Sequence, residues 1–390
     1  MGFIILAGFL NFPASKHHVR PNYLPWYDIL LMLVGAACFF YFARNAMTMI
    51  RLATRIQPIH VVIGCIGILV LVELCRRCVG LPILVVAGLL VVYAFYNQLS
   101  YGASFYKALQ NIIYKLFYTT SGVIGTPVSV CYTYIVLFII FGAFLERTGI
   151  ANFFISFANR LAGWSSGGPA KVAVISSALC GMVSGSSVGN TVTTGSFTIP
   201  MMKKTGYKPE FAGAVEAAAS TGGQFMPPVM GAVGFVMAEL LGTGYGAVMA
   251  AALLPALLYY GALLLATHLR ARRLGLGGQT FGPVSLKNRL HLLLPLALLL
   301  VLMAFGYTPL FSCVAAIVAT PLVGALKQDT RLSAADWLAA LARGARDAVT
   351  VGVCCLIIGL IISQIATIPG LSVLSQFTEV LSAQSPVVGA

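Results

Sequence analysis

The sequence predicts an all-α, polytopic membrane protein that contains a re-entrant helical hairpin and a discontinuous helix. Of its 390 residues, 59% are hydrophobic and 9% are charged, whereas a soluble domain carries about 25% charged residues. Several apolar runs have the ~20 residues that a helix needs to cross a bilayer. Two further apolar segments are interrupted by Gly, Ser, Thr and Asn, where a plain spanning helix would have Leu or Ile.

The first apolar runs predict spanning helices at about residues 28–47, 59–74 and 81–96, within a first region of residues 1–100. Residues 101–125 form a second region, in which aromatic residues and Leu alternate with polar residues at helical spacing. This pattern predicts an amphipathic helix in the membrane interface, followed by a linker. Residues 126–390 form the third region, with further spans at about 128–145, 246–268, 290–305, 309–326 and 349–368, and a surface helix at about 332–343.

The basic residues form short clusters between the apolar runs, although the net charge is +14. Such loops orient a membrane protein, with the richest clusters on the cytoplasmic side. The lipid bilayer is therefore the expected partner, and we expect no nucleic acid. The clusters are Arg44, Arg51 and Arg55; Lys203, Lys204 and Lys208; and Arg270, Arg272, Arg273, Lys287 and Arg289.

Cysteine spacing does not predict a metal or redox centre. Cys75 and Cys78 form a C-x-x-C motif, and the other seven of the nine cysteines lie in apolar runs. A zinc or redox role for the motif would need a second ligand pair or a βαβ context. We therefore interpret the cysteines as small packing residues.

The hairpin is predicted at about residues 169–200, in a stretch where residues 172–202 carry no charged side chain. Its apolar arms flank the polar tip SGSSVGN, and each arm is shorter than the ~20 residues needed to cross. Irregular backbone at membrane depth is tolerated only where it lines a cavity or is buried in protein. The lysines of MMKKTGYKP predict that the hairpin enters from, and returns to, the cytoplasmic side.

The discontinuous helix is predicted at about residues 209–241, with its break at STGGQFMPP. Two broken elements in succession are typical of a secondary-transporter site near the bilayer midplane. Interrupted helices expose carbonyls that can bind Na⁺ and N–H groups that favour an anionic solute. Glycines let the backbone turn and approach closely. The residues concerned are Ser184, Ser186, Ser187 and Asn190 as oxygen ligands, Thr191, Thr193 and Thr194 as hydroxyls, and Gly185 and Gly189 at the turn.

Alternative interpretations account for less of the pattern. Small-residue helices also serve packing in lipid, but packing alone does not explain two polar breaks between arms too short to span. A serine enzyme acting through Ser186 or Ser187 would need an adjacent base, and we predict no enzyme because every histidine lies outside both elements. Among intramembrane acids, which are functional candidates by default, Glu216 falls beside the site and Glu239 near a helix end. The histidines are His17, His18, His60, His268 and His291.

The central motif resembles the signature of the tripartite ATP-independent periplasmic (TRAP) transporters. It runs from GGPAKVAVISSALCGMVSGSSVGNTVTTGSFTIPMMKKTGY to FAGAVEAAASTGGQFMPPVMGAVGFVMAE, and VELCRRCVG, FIIFGAFLERTG and AALLPALLYY add to the likeness. The closest likeness is to the fused form, with a small-subunit-like part in residues 1–100 and a large-subunit-like part in residues 126–390. Such proteins usually work with a periplasmic solute-binding protein of the TAXI type.

The resemblance implies a Na⁺-driven importer of carboxylate-bearing organic anions that works by an elevator motion in the inner (cytoplasmic) membrane of a bacterium or archaeon. It also implies the residues of the site. The Na⁺ positions are Ser184, Gly185, Ser186 and Asn190 in the hairpin, with Ser220, Thr221 and Gly223 opposite. We assign the solute to Ser187, Thr191, Thr194, Gln224 and Pro227.

One departure from the family pattern concerns length. The large subunit normally carries a second, inverted copy of hairpin and broken helix, and nothing after Val349 resembles it. The sequence also opens within an expected helix. We therefore expect an incomplete member, truncated at both ends and holding the first inverted repeat only. The alternative function is a non-transporting remnant or assembly scaffold of such a system.

Overall fold

The computed structural model describes residues 1–14, 24–52, 56–278, 289–327 and 330–365. Sixteen α-helices account for most of these described residues. Within the described part of the chain, six helical segments are long and apolar enough to cross a membrane, by length and composition. The prediction of an all-α, polytopic membrane protein is therefore confirmed. The candidate spans are Trp26–Met49, Pro58–Cys78, Leu81–Ser100, Thr126–Arg147, Tyr245–Arg273 and Ala334–Ile365.

The first compact unit comprises the described residues among 1–132 and residues 349–365. Its core includes a buried ion pair between Arg77 Nη1 and Asp28 Oδ1, 2.7 Å apart. The Arg77 guanidinium also lies 4.9 Å from the centroid of the Phe9 ring, so three helices meet at one cation. Helices of this unit are α1 (Gly2–Asn11), α2 (Trp26–Leu52), α3 (Pro58–Cys78), α4 (Leu81–Ser100), α5 (Phe105–Phe117) and α6 (Thr126–Val130).

Helix α5 occupies the segment for which an amphipathic helix was predicted. One face is buried, and Phe117 on that face packs so closely on α3 that a Cβ at Gly67 would lie 2.4 Å from its ring. Phe105, at the start of α5, is exposed. The interfacial position of this helix stays a prediction. The buried residues are Ala108, Ile112, Ile113, Leu116 and Phe117.

The second compact unit comprises residues 133–348. Helices α9 and α10 lie side by side and are joined by a short tip, so they form a hairpin. Helix α9 packs against α8, α11 and α13 as well as α10. After a π-helical turn (Cys131–Ile135), the helices are α7 (Val136–Arg147), α8 (Ile150–Ala162), α9 (Gly168–Ser184), α10 (Ser187–Lys204), α11 (Pro209–Gly222), α12 (Ala232–Leu240), α13 (Tyr245–Arg273), α14 (Leu294–Ala304), α15 (Pro309–Gly324) and the part of α16 (Ala334–Ile365) up to residue 348.

Helix α16 corrects one prediction. The sequence suggested a surface helix at 332–343 and a separate span from 349, but a single helix covers Ala334–Ile365. No proline separates the two segments, and Gly344 serves packing because a Cβ there would lie 3.0 Å from the Ile140 Cα of α7. Two ion pairs with partly exposed side chains also connect α7 and α16, between Arg147 and Asp336 (2.9 Å) and between Arg343 and Glu146 (3.1 Å).

Candidate functional site

The hairpin tip brings the end of α9 and the start of α10 together. Gly185 ends α9 in the left-handed region (φ +59°), and its N–H donates to the Gly181 carbonyl over 2.9 Å. A side chain at Gly185 would also strike the Met230 carbonyl, 2.1 Å from its Cβ position. Ser186 caps α10 by accepting a hydrogen bond from the Gly189 N–H over 3.2 Å. The positive φ and the nearby Met230 carbonyl explain the predicted need for glycine at position 185.

The break between α11 and α12 packs directly on the hairpin. A Cβ on Gly181 would lie 2.4 Å from the Cα of Gly223, and a Cβ on Gly223 would lie 2.7 Å from the Cα of Gly181. The Val229 N–H donates to the Met182 carbonyl over 3.2 Å. Two backbones that approach this closely leave no space for a side chain, so both positions require glycine.

Tyrosines of α13 satisfy much of the irregular backbone of the break. Because every buried carbonyl needs a partner, these hydroxyls allow the helix to stop inside the protein. Tyr245 Oη lies 2.8 Å from both the Pro228 and the Val229 carbonyls, which share its one hydrogen. Tyr259 Oη donates to the Ala218 carbonyl (2.8 Å) and Tyr260 Oη donates to the Ala219 carbonyl (2.9 Å).

The last carbonyls of α11 are less open than the sequence suggested. Ala219 accepts from Tyr260, as above, and the Ser220, Thr221 and Gly222 carbonyls accept from the N–H groups three residues further on, over 3.1–3.2 Å. Each carbonyl oxygen has two lone pairs. These oxygens could therefore bind a cation only through the lone pair that remains.

Asn190 is the strongest ligand candidate of the site. The residue is 1% exposed, and its Nδ2 donates to the Ser177 carbonyl over 2.8 Å. Its Oδ1 is buried and has no hydrogen-bond partner among the described residues. The Cβ position of Gly223 is 3.5 Å from Nδ2, so the amide lies against the break. A buried polar oxygen without a hydrogen-bond donor calls for an explanation. A hard cation such as Na⁺ could bind to this oxygen.

Gln224 and Ser187 connect the break to the hairpin tip. Gln224 Nε2 donates to Ser187 Oγ over 3.0 Å, and the Gly231 N–H donates back to the Gln224 carbonyl over 2.6 Å. Gln224 is exposed and Ser187 is half-buried. Two residues assigned to the solute are thereby adjacent and reachable from outside the core.

Several other predicted side chains form hydrogen bonds within their own helix or within the hairpin tip. Thr191 Oγ1 and Thr221 Oγ1 each donate to a carbonyl of their own helix over 2.8 Å, at Ser187 and Ala217 respectively. Ser184 Oγ receives a long hydrogen bond, 3.4 Å, from the Ser186 N–H. Pro227 is half-buried and precedes a cis peptide bond to Pro228. Thr194 and Ser220, the remaining two, meet at a buried carboxylate.

That carboxylate belongs to Glu216, which is fully buried. Ser177 Oγ donates to Oε1 over 2.7 Å and Ser220 Oγ over 3.2 Å. Thr194 and Thr198 donate to Oε1 and Oε2 through short hydrogen bonds. Within the described part of the chain, no basic side chain pairs with Glu216.

Sequence reasoning weighed Glu216 but did not single out Ser177 or Thr198. The signal was present in the spacing. Asn190, Thr194 and Thr198 are four residues apart, as are Glu216 and Ser220. Residues four apart share one face of a helix, so a polar face that includes Thr198 and a second one that carries Glu216 were visible as a pattern, whereas this spacing does not include Ser177.

Comparison with known proteins gives the family. Residues 66–386 match the model of the tripartite ATP-independent periplasmic transporter, DctM component. The chain is 33% identical over 144 residues to the C4-dicarboxylate TRAP transporter large permease protein DctM of Vibrio cholerae, covering 37% of this chain and 31% of that protein. The protein of the same name from Pseudomonas aeruginosa is 33% identical over 135 residues, 35% of this chain and 31% of the relative.

The corresponding protein of Rhodobacter capsulatus is 32% identical over 150 residues, 35% of this chain and 34% of the relative. The chain thus aligns with about a third of the length of these curated relatives. These relatives are permeases by name, not enzymes. Because the family model covers most of the sequence, the chain belongs to the DctM family of TRAP transporter large permeases.

Proposed function

We propose that this chain is the membrane permease component of a Na⁺-coupled, binding-protein-dependent secondary transporter. The observation that carries the proposal is the packing of the hairpin tip on the break between α11 and α12, where Asn190 Oδ1 is buried without a donor from any described residue. Sites built from two interrupted helical elements are typical of secondary transporters. The family membership supports the same class of function.

The coupling ion in this proposal is Na⁺, held by neutral oxygens. Asn190 contributes its side-chain oxygen, and the tip residues Ser184, Gly185 and Ser186 contribute hydroxyl or carbonyl oxygens. From the break, Ser220, Thr221 and Gly223 contribute carbonyls or a hydroxyl. Neutral ligands suit a monovalent ion that has to be released in every cycle, because they bind it without the attraction of a directly coordinating charge.

The solute in this proposal is an organic anion with a carboxylate group. The N-terminal end of α10 offers backbone N–H groups next to Ser187 and Gln224, and a helix N-terminus favours negative charge. Pro227 remains in the solute set of the proposal, whereas Thr191 and Thr194 leave it because their hydroxyls donate within the protein. The relatives carry C4-dicarboxylate in their names, which supports a carboxylate substrate class for this chain as well.

The proposed partners follow from the same system. A periplasmic solute-binding protein of the TAXI type would deliver the anion, and the chain would lie in the inner (cytoplasmic) membrane. The family match begins at residue 66, so α1 and α2 precede it. This leaves room for a small-subunit-like part within residues 1–100, as in a fused permease.

Na⁺ binding is testable on the purified chain without its partners. We expect NaCl to raise the unfolding temperature relative to choline chloride at equal ionic strength. A ligand present at 100 times its Kd stabilises a protein by about 2.7 kcal/mol. Asn190→Ala is expected to abolish this Na⁺-dependent stabilisation. Asn45→Ala is the matched control, because that amide also donates to a backbone carbonyl (2.9 Å) but lies in α2.

Transport is tested in liposomes that contain the chain, with a TAXI-type binding protein and [¹⁴C]succinate outside. We expect uptake with an inward Na⁺ gradient and little with an inward K⁺ gradient. Equal uptake in both gradients would contradict Na⁺ coupling. Na⁺ binding without any uptake, with other carboxylates tried as well, would favour the non-transporting scaffold.

A further inference from the structure

We propose that Glu216 supplies the negative charge that sets the cation affinity of the hairpin site, without itself binding the ion. This inference rests on the proposed Na⁺ site and adds a residue to it. The direct ligands in that site are neutral oxygens, so their attraction for a cation depends on the charges close behind them. Glu216 is the acidic residue buried against the same two elements.

The surroundings of Glu216 are those of a charge that is stabilised but not cancelled. Its four neighbours are hydroxyl groups from α9, α10 and α11, which donate to the carboxylate. An ionised carboxylate only accepts hydrogen bonds, so this shell satisfies it. No Lys, Arg or His of the described residues forms an ion pair with it. A buried charge without a counter-charge is costly, and a cation in the adjacent site would lower that cost.

Two residues connect the carboxylate to Asn190. Thr194 Oγ1 donates to Glu216 and lies 2.8 Å from the Asn190 carbonyl oxygen. Ser177 donates its hydroxyl to Glu216 over 2.7 Å, and its carbonyl accepts from Asn190 Nδ2 over 2.8 Å. The carboxylate is therefore two contacts away from Asn190 along either route. Neither route places Glu216 itself in contact with the unpartnered Oδ1.

Ser220 gives a third connection, on the opposite side. Its hydroxyl donates to Glu216, which leaves the oxygen lone pairs free to face a cation. A hydroxyl that donates to a carboxylate is polarised so that its oxygen becomes a better cation ligand. Glu216 thus acts on the proposed Na⁺ site both through its field and through a ligand.

The electric field of the Glu216 carboxylate alone should change the dissociation constant for Na⁺ by a measurable factor. For two unit charges about 6–10 Å apart at an effective dielectric constant of about 20, removal of one charge changes the dissociation constant roughly 15- to 100-fold. Separations of that order follow from the two-contact routes. Glu216→Gln keeps the size and most of the hydrogen-bonding groups but removes the charge, so we expect this loss of Na⁺ affinity in the Gln variant.

In the competing explanation, which we call the clamp, Glu216 only holds α9, α10 and α11 together through hydrogen bonds, and its charge does not affect Na⁺ binding. A pair of variants separates this explanation from the electrostatic one. Glu216→Asp keeps the charge but shortens the side chain, so it weakens the hydroxyl contacts. A charge that sets affinity predicts that Asp binds Na⁺ much better than Gln does. A clamp predicts that Asp binds no better than Gln. Glu210→Gln is the matched control, because Glu210 lies in the same helix but is exposed.

The experiment measures ²²Na⁺ binding to the full chain in detergent by scintillation proximity, at constant ionic strength, with the unfolding temperature in choline chloride as the test of folding. We expect the Kd of Glu216→Gln to rise about 15-fold or more, and those of Glu216→Asp and Glu210→Gln to rise less than about fivefold. A smaller rise for Gln, or an Asp variant as weak as Gln, overturns the inference.

If Glu216→Gln does not fold, Glu216→Asp decides. A rise of less than fivefold supports the inference and a larger one overturns it. The underlying Na⁺ site fails in a different way. If the wild-type chain binds no ²²Na⁺, or if Asn190→Ala binds as tightly as the wild type, the proposed function is contradicted before Glu216 is considered.

Discussion

Gly181 and Gly223 lie so close together that a single methyl group added at position 181 should destabilise the site. In Gly181→Ala, the new Cβ would lie 2.4 Å from the Gly223 Cα. An ordinary contact needs about 3.4 Å or more, so one backbone has to move by about 1 Å. Both partners are main chain, and no side chain can rotate away. Overpacking of this kind costs typically about 1–3 kcal/mol, which outweighs the helical preference of Ala over Gly of about 1 kcal/mol or less.

The matched substitution is Gly213→Ala in α11, where a Cβ would meet nothing within 4 Å. Removing a glycine from an unobstructed helical position stabilises by roughly 0.4–1 kcal/mol. We therefore expect the two variants to shift the unfolding temperature of the purified chain in opposite directions, Gly181→Ala downwards and Gly213→Ala upwards. If Gly181→Ala unfolds at or above the wild-type temperature, the two backbones do not cross as described and the site geometry is wrong.

Two further predictions concern single contacts. Arg77→Ala removes the cation that faces the fully buried Asp28 and should destabilise the chain by about 3–5 kcal/mol. Arg147→Ala removes one side of an exposed ion pair and should leave the unfolding temperature unchanged. Equal effects of the two substitutions would contradict the burial of the Arg77–Asp28 pair. Tyr260→Phe removes the hydrogen bond to the Ala219 carbonyl and should cost about 1 kcal/mol in thermal unfolding, so an unchanged melt would show that another donor takes over.

The elements of the site could be predicted because their signals are local. Helices α9 and α10 cover Gly168–Ser184 and Ser187–Lys204 where a hairpin was predicted at about 169–200. Helices α11 and α12 cover Pro209–Gly222 and Ala232–Leu240 within the predicted 209–241. Gly, Pro and polar residues inside apolar runs mark such interruptions directly, since each changes what the backbone can do at its own position.

The contacts between elements could not be predicted in the same way. The tyrosines of α13 lie 41 residues beyond the α11 carbonyls that they cap, and nothing in an apolar helix indicates which distant backbone needs a donor. The continuity of α16 depended on Gly344 facing Ile140 of α7. A glycine that permits close packing and a glycine that ends a helix look alike in sequence. Only the neighbour decides between them.

Packing and charge at the hairpin can be separated by the ion present during unfolding. Gly181→Ala strains backbone contacts that exist with or without a cation, so it should lower the unfolding temperature already in choline chloride. Glu216→Gln removes a charge whose role depends on the bound ion, so it should reduce the difference between the two salts. Identical behaviour of the two variants in both salts would mean that Glu216 serves packing alone. A smaller Na⁺-dependent increment for Glu216→Gln, without a lower unfolding temperature in choline chloride, would mean that α11 carries the charge of the site as well as its backbone crossing.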